Sequence, residues 1–198
     1  YRLTGKAAYY EYSQQWCEHN RWRGANSDDK RNWKYKTYGE GQDFVLFGDW
    51  QICFQTYIDM YNLNPADYKV ARAKEVMTYA CHLDENKFWW WADALYMVMP
   101  LMTKMYKLTG DRMFLDRMYE NYLWSDSLMY DAEAQLYYRD AKYIYPKVKT
   151  ASGGKSFWAR GDGWVLAGLA KVLGDMPEDY EHRAFFLKRF RELAQGVA

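Results

Sequence analysis

One segment of the sequence combines a lone carboxylate with a run of indoles. Trp89, Trp90 and Trp91 lie just before Asp93. Aspartate is seldom buried unless it is paired or used, and a wall of tryptophan both excludes water from an acid and offers flat faces on which sugar rings stack. The segment therefore predicts a carbohydrate site in which Asp93 is an acid. The alternative is that Asp93 only caps a helix that begins at Ala94, while the indoles belong to the core.

A second segment brings two indoles and a guanidinium together at a glycine-containing turn. Trp158 and Trp164 flank Arg160, with Gly161 and Gly163 between them. A guanidinium group presents a planar fork that binds a carboxylate through two hydrogen bonds, so Arg160 suits an acidic sugar. The alternative is a turn that enters a helix, in which the indoles are core residues and the arginine pairs with a nearby aspartate.

Composition narrows the class of partner. The 198 residues carry 27 Lys and Arg against 26 Asp and Glu, a net charge of +1, so no basic field is present to attract nucleic acid. No apolar run is long enough to predict a membrane span. The three cysteines and three histidines show no zinc-binding spacing. We therefore expect no nucleic-acid or membrane partner, no metal and no cofactor, with the cytoplasm and the periplasm both open as compartments.

Apolar residues recur at intervals of three and four along most of the chain, which is typical of amphipathic helices. Predicted helices cover residues 6–20, 49–63, 66–82, 93–108, 111–130, 162–174 and 178–195. Pro100 falls inside the fourth helix and should kink or break it. Strand signal is nearly confined to 136–139, and two long polar stretches, 22–45 and 140–160, are predicted as loops. Long loops in a compact domain are usually functional or disordered.

A short pattern of Tyr, Leu and a final Gly or Pro marks the ends of helical hairpins. It occurs at 1–5, 61–65 and 106–110, each time before a helical run, and a weaker copy lies at 173–177. Spacings of this size suit hairpins with elaborated loops. Since each hairpin is amphipathic and packs on its neighbour, the pattern predicts an all-α fold, either an open solenoid or hairpins closed into an α/α toroid.

Together the two motifs resemble those of glycoside hydrolase families 88 and 105, the unsaturated glucuronyl and rhamnogalacturonyl hydrolases, and family 105 more closely. The similarity rests on the ordered segments 91–97, 108–111 and 158–164 and covers residues 49 to about 186. The resemblance implies an (α/α)6 toroid. Because 198 residues are too few for six hairpins, we expect residues 1–198 to form a single catalytic domain that lacks hairpins at one or both ends.

The resemblance also implies roles for individual residues. Asp93 matches the general acid and base, and Asp49 matches a second functional carboxylate at the start of its helix. The residues that match the lining of the sugar subsite are Trp91, Met97, Trp158, Arg160 and Trp164. Two positions depart from the family: many members carry His within 137–140, where this chain has none, and many carry Asn where Asp162 stands.

The reaction that the resemblance implies is hydration of a 4,5-unsaturated uronic acid, released from acidic oligosaccharides made by a polysaccharide lyase. No metal or covalent intermediate is required. We expect a raised pKa for Asp93, because desolvation by the indoles and repulsion from Asp49 outweigh the opposite effect of a helix dipole. Two alternatives remain: an inverting glycosidase, with Asp49 and Asp93 about 6.5 to 9.5 Å apart, and a noncatalytic helical repeat that binds sugar or protein.

Overall fold

The computed structural model describes residues 1–35 and 41–198, and the chain divides into two compact units, Tyr1–Ala80 and Cys81–Ala198. The predicted loop 22–45 therefore includes five residues, 36–40, that lie outside the described part. In the described ranges, no helix is long and apolar enough to cross a membrane. The predicted single domain over 1–198 stays a prediction.

In its described residues, 1–35 and 41–80, the first unit has four helices, the last of which ends one residue beyond it. They are α1 (Ala7–His19), α2 (Gly48–Gln51), α3 (Cys53–Leu63) and α4 (Tyr68–Cys81), with a 3-10 turn at Lys30–Asn32. The helix predicted over 49–63 is thus divided at Ile52. The polar loop between α1 and α2 is fastened by Arg72, whose buried guanidinium donates hydrogen bonds to the carbonyl oxygens of Ala25 at 3.0 Å and Ser27 at 2.6 Å.

The second unit carries both motifs and is also mainly helical. Its helices are α5 (Ala94–Met97), α6 (Met99–Thr109), α7 (Met113–Met129), α8 (Ala159–Asp175) and α9 (Arg183–Val197). Two short antiparallel strands, β1 (Tyr130–Asp131) and β2 (Leu136–Tyr137), lie between α7 and α8. Helix α8 is central, since it packs against α5, α6 and α9.

The predicted break near Pro100 is confirmed. Helix α5 ends at Met97, and α6 begins at Met99 with Pro100 in its first turn, where a missing backbone N–H leaves no hydrogen bond unmade. The hairpin-end pattern is also confirmed, because α6 ends at Thr109, with the N–H of Gly110 donating to the carbonyl oxygen of Tyr106 at 2.7 Å.

Two helix starts in the second unit differ from the predictions by more than two residues. Helix α8 begins at Ala159 rather than residue 162, so Arg160 lies inside its first turn. Helix α9 begins at Arg183 rather than residue 178. The guanidinium of Arg183 donates to the carbonyl oxygens of Leu173 at 2.9 Å and Met176 at 3.0 Å. It thus provides hydrogen-bond donors to carbonyl groups at the end of α8 that have no partner within the helix, and the segment between the two helices remains a loop.

The strand predicted over 136–139 pairs with β1 only at Leu136 and Tyr137. Beyond that ladder, the chain continues alongside the first motif. The N–H of Ala92 donates to the carbonyl oxygen of Arg139 at 2.9 Å, and Trp91 and Asp140 form an antiparallel bridge. This pairing holds the segment after β2 against the residues that immediately precede Asp93.

Candidate active site

Asp93 lies at the start of α5, but its side chain does not cap the helix. The backbone carbonyl oxygen of Asp93 accepts the N–H of Met97 at 2.9 Å, whereas the carboxyl group makes no capping hydrogen bond. The capping alternative is therefore wrong for the side chain. Asp93 is half-buried, directly after the tryptophan run and Ala92.

The predicted direction of the Asp93 pKa is confirmed. Burial raises the pKa of Asp93 above its ordinary value of 3.8, against the opposing effects of a backbone hydrogen bond and of the charges on Arg139 and Arg160. Desolvation disfavours the charged form of an acid, while nearby cations favour it. Because desolvation prevails, Asp93 holds its proton more tightly than an exposed aspartate does.

Arg160 and Trp158 form a unit at the start of α8. The guanidinium carbon of Arg160 lies 4.5 Å from the centroid of the Trp158 ring, and the arginine is exposed. Gly161 makes this arrangement possible, since a β-carbon at that position would lie 2.5 Å from the Trp158 ring. The guanidinium is thereby held over an indole, close enough to Asp93 for its charge to lower the carboxyl pKa.

The two motifs meet through the packing of α5 on α8. The ring of Trp164 lies against that of Tyr96 at a centroid distance of 4.7 Å. The helices approach closely because residue 168 is glycine: a β-carbon there would lie 2.0 Å from the carbonyl oxygen of Leu95. Both rings are half-buried, so each leaves part of its surface exposed.

The nearby aspartate that could have paired with Arg160 has a different partner. Asp162 is 2% exposed, and its carboxylate accepts the backbone N–H of Tyr137 at 2.7 Å. Burial raises the pKa of Asp162 to about 6, although the hydrogen bond from Tyr137 acts to lower it. This hydrogen bond joins α8 to β2 at Tyr137. Tyr137 lies two residues before Arg139.

Arg139 is the residue near Asp93 that sequence reasoning missed. Its guanidinium donates to the Tyr143 hydroxyl at 3.0 Å and lies 3.6 Å from a carboxylate oxygen of the buried Asp140. Among the charged side chains that act on Asp93, Arg139 has the largest effect. The only signal in the sequence was its position in the segment where the related families carry His.

The remaining predicted lining residues differ in exposure. Trp91 is 6% exposed and packs against Trp90 at a centroid distance of 4.7 Å, so little of its face is open to solvent. Met97 is half-buried at the end of α5, and Trp158 is half-buried before α8. Their predicted contacts with sugar stay predictions.

Asp49 belongs to the first unit. It is exposed in the first turn of α2, as predicted, and lines a cleft of about 330 Å³ with the aromatic rings of Trp16, Trp50 and Tyr57 and the guanidinium of Arg23. A carboxylate and an arginine between aromatic side chains suit a sugar. The predicted pairing of Asp49 with Asp93 stays a prediction.

In residues 1–35 and 41–198, no group of three or more His, Cys, Asp or Glu side chains is placed to hold a metal ion. The ammonium group of Lys155 is engaged with Asp131 at 2.7 Å and Glu133 at 2.7 Å. The chemistry of the second unit is therefore a half-buried acid with two arginines and exposed ring surfaces beside it.

A half-buried acid beside arginines and aromatic rings, in a helical protein, is an arrangement that suits a carbohydrate ligand. The chain belongs to glycosyl hydrolase family 88, whose family model matches residues 1–198. The resemblance carried by the motifs is thus confirmed, and of the two families it named, family 88 is the one whose model matches.

Three relatives give the extent of the similarity. A solved structure described as a polysaccharide lyase is 59% identical, with a TM-score of 0.97 over 100% of this chain and 55% of its own. A solved glycosyl hydrolase family 88 structure from Bacteroides vulgatus is 48% identical, with a TM-score of 0.97 over 99% of this chain and 56% of its own. An unsaturated 3S-rhamnoglycuronyl hydrolase from Formosa agariphila is 38% identical over 113 residues, 55% of this chain and 30% of its own length.

These similarities confirm the predicted fold class, the helical hairpins of an (α/α)6 toroid. The chain spans about half the length of the two solved relatives and less than a third of the curated one.

Proposed function

We propose that the protein removes a 4,5-unsaturated uronic acid from acidic oligosaccharides by hydrating the enol-ether double bond. The observation that carries the proposal is the balance of effects at Asp93. Its pKa stays raised although Arg139 and Arg160 both act to lower it. A general acid must keep its proton near the working pH, and an acidic substrate needs a cation nearby. Burial moves the pKa of Asp93 in the required direction, and Arg139 and Arg160 supply the cations.

The reaction begins with transfer of the Asp93 proton to C4 of the unsaturated ring. The positive charge that develops is shared between C5 and the ring oxygen. A water molecule then adds to C5 and gives up a proton to the Asp93 carboxylate, which restores the acid. The resulting hemiketal opens and releases the rest of the oligosaccharide, so the glycosidic bond is lost without displacement at the anomeric carbon.

Arg160 is the proposed ligand of the uronate carboxylate. It is exposed at the first turn of α8, and its guanidinium carbon lies over the Trp158 ring, 4.5 Å from the centroid. The half-buried rings of Trp158, Trp164 and Tyr96 offer flat surfaces to the sugar. Asp49, which lines its own cleft in the first unit, is the second proposed functional carboxylate.

The names of the relatives raise one alternative, since one of them is described as a polysaccharide lyase. A lyase withdraws the C5 proton of a saturated uronate and creates the double bond that hydration would consume. Cations that neutralise the carboxylate serve either reaction. The Formosa relative is named an unsaturated 3S-rhamnoglycuronyl hydrolase, and the raised pKa of Asp93 favours a proton donor.

An absorbance assay separates the two reactions, because the enol ether absorbs in the ultraviolet. We expect the purified protein to reduce the absorbance of a lyase-generated unsaturated disaccharide, and Asp93→Asn to abolish that loss. Asp179→Asn, on the exposed surface of the same unit, is the matched control and should turn over normally. An absorbance increase on the saturated polymer would establish a lyase instead.

A further inference from the structure

The charges of two guanidinium groups, those of Arg139 and Arg160, act to lower the pKa of Asp93. Arg160 comes from the first turn of α8, and Arg139 comes from the segment after β2. Arg139 has the larger effect of the two. Its backbone is fixed next to the acid, since its carbonyl oxygen accepts the N–H of Ala92 at 2.9 Å.

The side chain of Arg139 is also held in place. Its guanidinium donates to the Tyr143 hydroxyl at 3.0 Å and lies over the Tyr143 ring at 5.2 Å from the centroid. On the other side, an oxygen of Asp140, which is 2% exposed, lies 3.6 Å from the arginine Nε. The arginine side chain itself is one-third exposed. A positioned, partly exposed guanidinium loses little conformational entropy when it binds an anion.

The geometry of the substrate brings its carboxylate to the same place. In a 4,5-unsaturated uronate the carboxylate is attached to C5, and C5 is bonded to C4, the atom that receives the Asp93 proton. The carboxylate must therefore lie within a few bond lengths of the acid when the proton is transferred. The hydrogen bond from Ala92, the residue before Asp93, to the carbonyl oxygen of Arg139 keeps Arg139 in the same neighbourhood.

We propose that Arg139 binds the uronate carboxylate together with Arg160, beside Asp93. The proposal rests on the proposed function and deepens it, because it makes recognition of the carboxylate a task of two arginines. A neighbouring cation opposes the protonation of Asp93 in the empty site. A carboxylate bound between the two guanidinium groups offsets that effect, so both arginines are compatible with an acid that must stay protonated.

The experiment compares a charged ligand with its uncharged counterpart. The probes are a lyase-generated unsaturated uronyl disaccharide and its methyl ester, which lacks the carboxylate charge. Binding is measured by calorimetry in an Asp93→Asn background, which removes the proposed proton donor, alone and combined with Arg139→Gln. Arg191→Gln, an exposed arginine of α9, is the matched control.

We expect Arg139→Gln to weaken binding of the acid about tenfold, because one partner of a partly exposed charge pair is lost. Binding of the ester should change less than twofold, and Arg191→Gln should change neither. Equal weakening of acid and ester, or no weakening of the acid, would overturn the proposal. Since Arg139 contacts the buried Asp140, Arg139→Lys is the second variant, with a smaller loss expected for the acid alone, and circular dichroism checks the fold of each protein.

Turnover by the parent protein is measured separately. If the parent fails to consume the double bond while Arg139→Gln still loses its preference for the acid, the proposed reaction fails and the anion site stands. If the parent is active and the preference survives the substitution, the anion site fails and the reaction stands.

Discussion

Replacing Asp162 with Asn should stabilise the protein in a manner that depends on pH. Asp162 is 2% exposed, and its carboxylate accepts the backbone N–H of Tyr137 at 2.7 Å. Burial raises its pKa from 3.8 to about 6. An amide keeps the shape and one hydrogen-bond acceptor but never ionises, so the substitution removes the cost of burying a charge, while an NH2 group replaces the second carboxylate oxygen.

The magnitude follows from linkage between protonation and folding. Because the folded protein holds this proton more tightly, the stabilising contribution is fully present below the unfolded value and is lost as the pH rises through the folded value. The difference between 3.8 and about 6 corresponds to about 3 kcal/mol. Asp162→Asn should therefore raise the free energy of unfolding by up to about 3 kcal/mol at pH 8, and by almost nothing at pH 4.

Thermal unfolding at the two pH values measures this difference. For a chain of this size, about 3 kcal/mol corresponds to roughly 6 to 12 °C in Tm. Asp84→Asn, on the exposed surface, is the control, because it removes a carboxylate that is not buried. An Asp162→Asn protein that is less stable than the parent at pH 8, or whose gain is the same at pH 4, would refute the reasoning.

Three further predictions concern the site and its scaffold. Arg160→Lys keeps the charge but loses the planar fork, so KM for an unsaturated uronide should rise roughly tenfold, and an unchanged KM would show that the carboxylate is bound elsewhere. Gly168→Ala should lower the free energy of unfolding by about 1 to 3 kcal/mol, because its β-carbon would lie 2.0 Å from the carbonyl oxygen of Leu95. Gly174→Ala is the helix-matched control, since nothing lies within 4 Å of its β-carbon, and denaturant titration should show no loss for it. Finally, kcat/KM should fall as the pH rises through the raised pKa of Asp93, and a fall at acidic pH alone would contradict the role of general acid.

Local sequence predicted most of the helices and the raised pKa of Asp93. Three tryptophans before Asp93 indicated desolvation, and Pro100 indicated the break between α5 and α6. Both features depend on residues that are neighbours along the chain. The start of α9 could not be predicted from neighbouring residues. It depends on hydrogen bonds from Arg183 to the carbonyl oxygens of Leu173 and Met176, at the end of α8.

Apart from its position in the segment where the related families carry His, the sequence held no signal for Arg139, and the reason is the same. It is far from Asp93 along the chain, and the two are brought together by the hydrogen bond from Ala92 and the bridge between Trp91 and Asp140. Such backbone pairing between a loop and a helix start leaves no periodic pattern. The hydrogen bond that Asp162 accepts from the N–H of Tyr137 is also a tertiary contact, which local sequence does not indicate.

The most direct test of the central claim uses an unsaturated uronide joined through sulfur instead of oxygen. Hydration acts on the C4–C5 double bond, so the parent protein should consume the double bond of the sulfur-linked and oxygen-linked substrates at similar rates. Asp93→Asn should slow both by at least about a hundredfold, which is the range that general acid catalysis contributes. A parent protein that turns over only the oxygen-linked substrate, or an Asp93→Asn protein that retains full activity, would contradict hydration by Asp93.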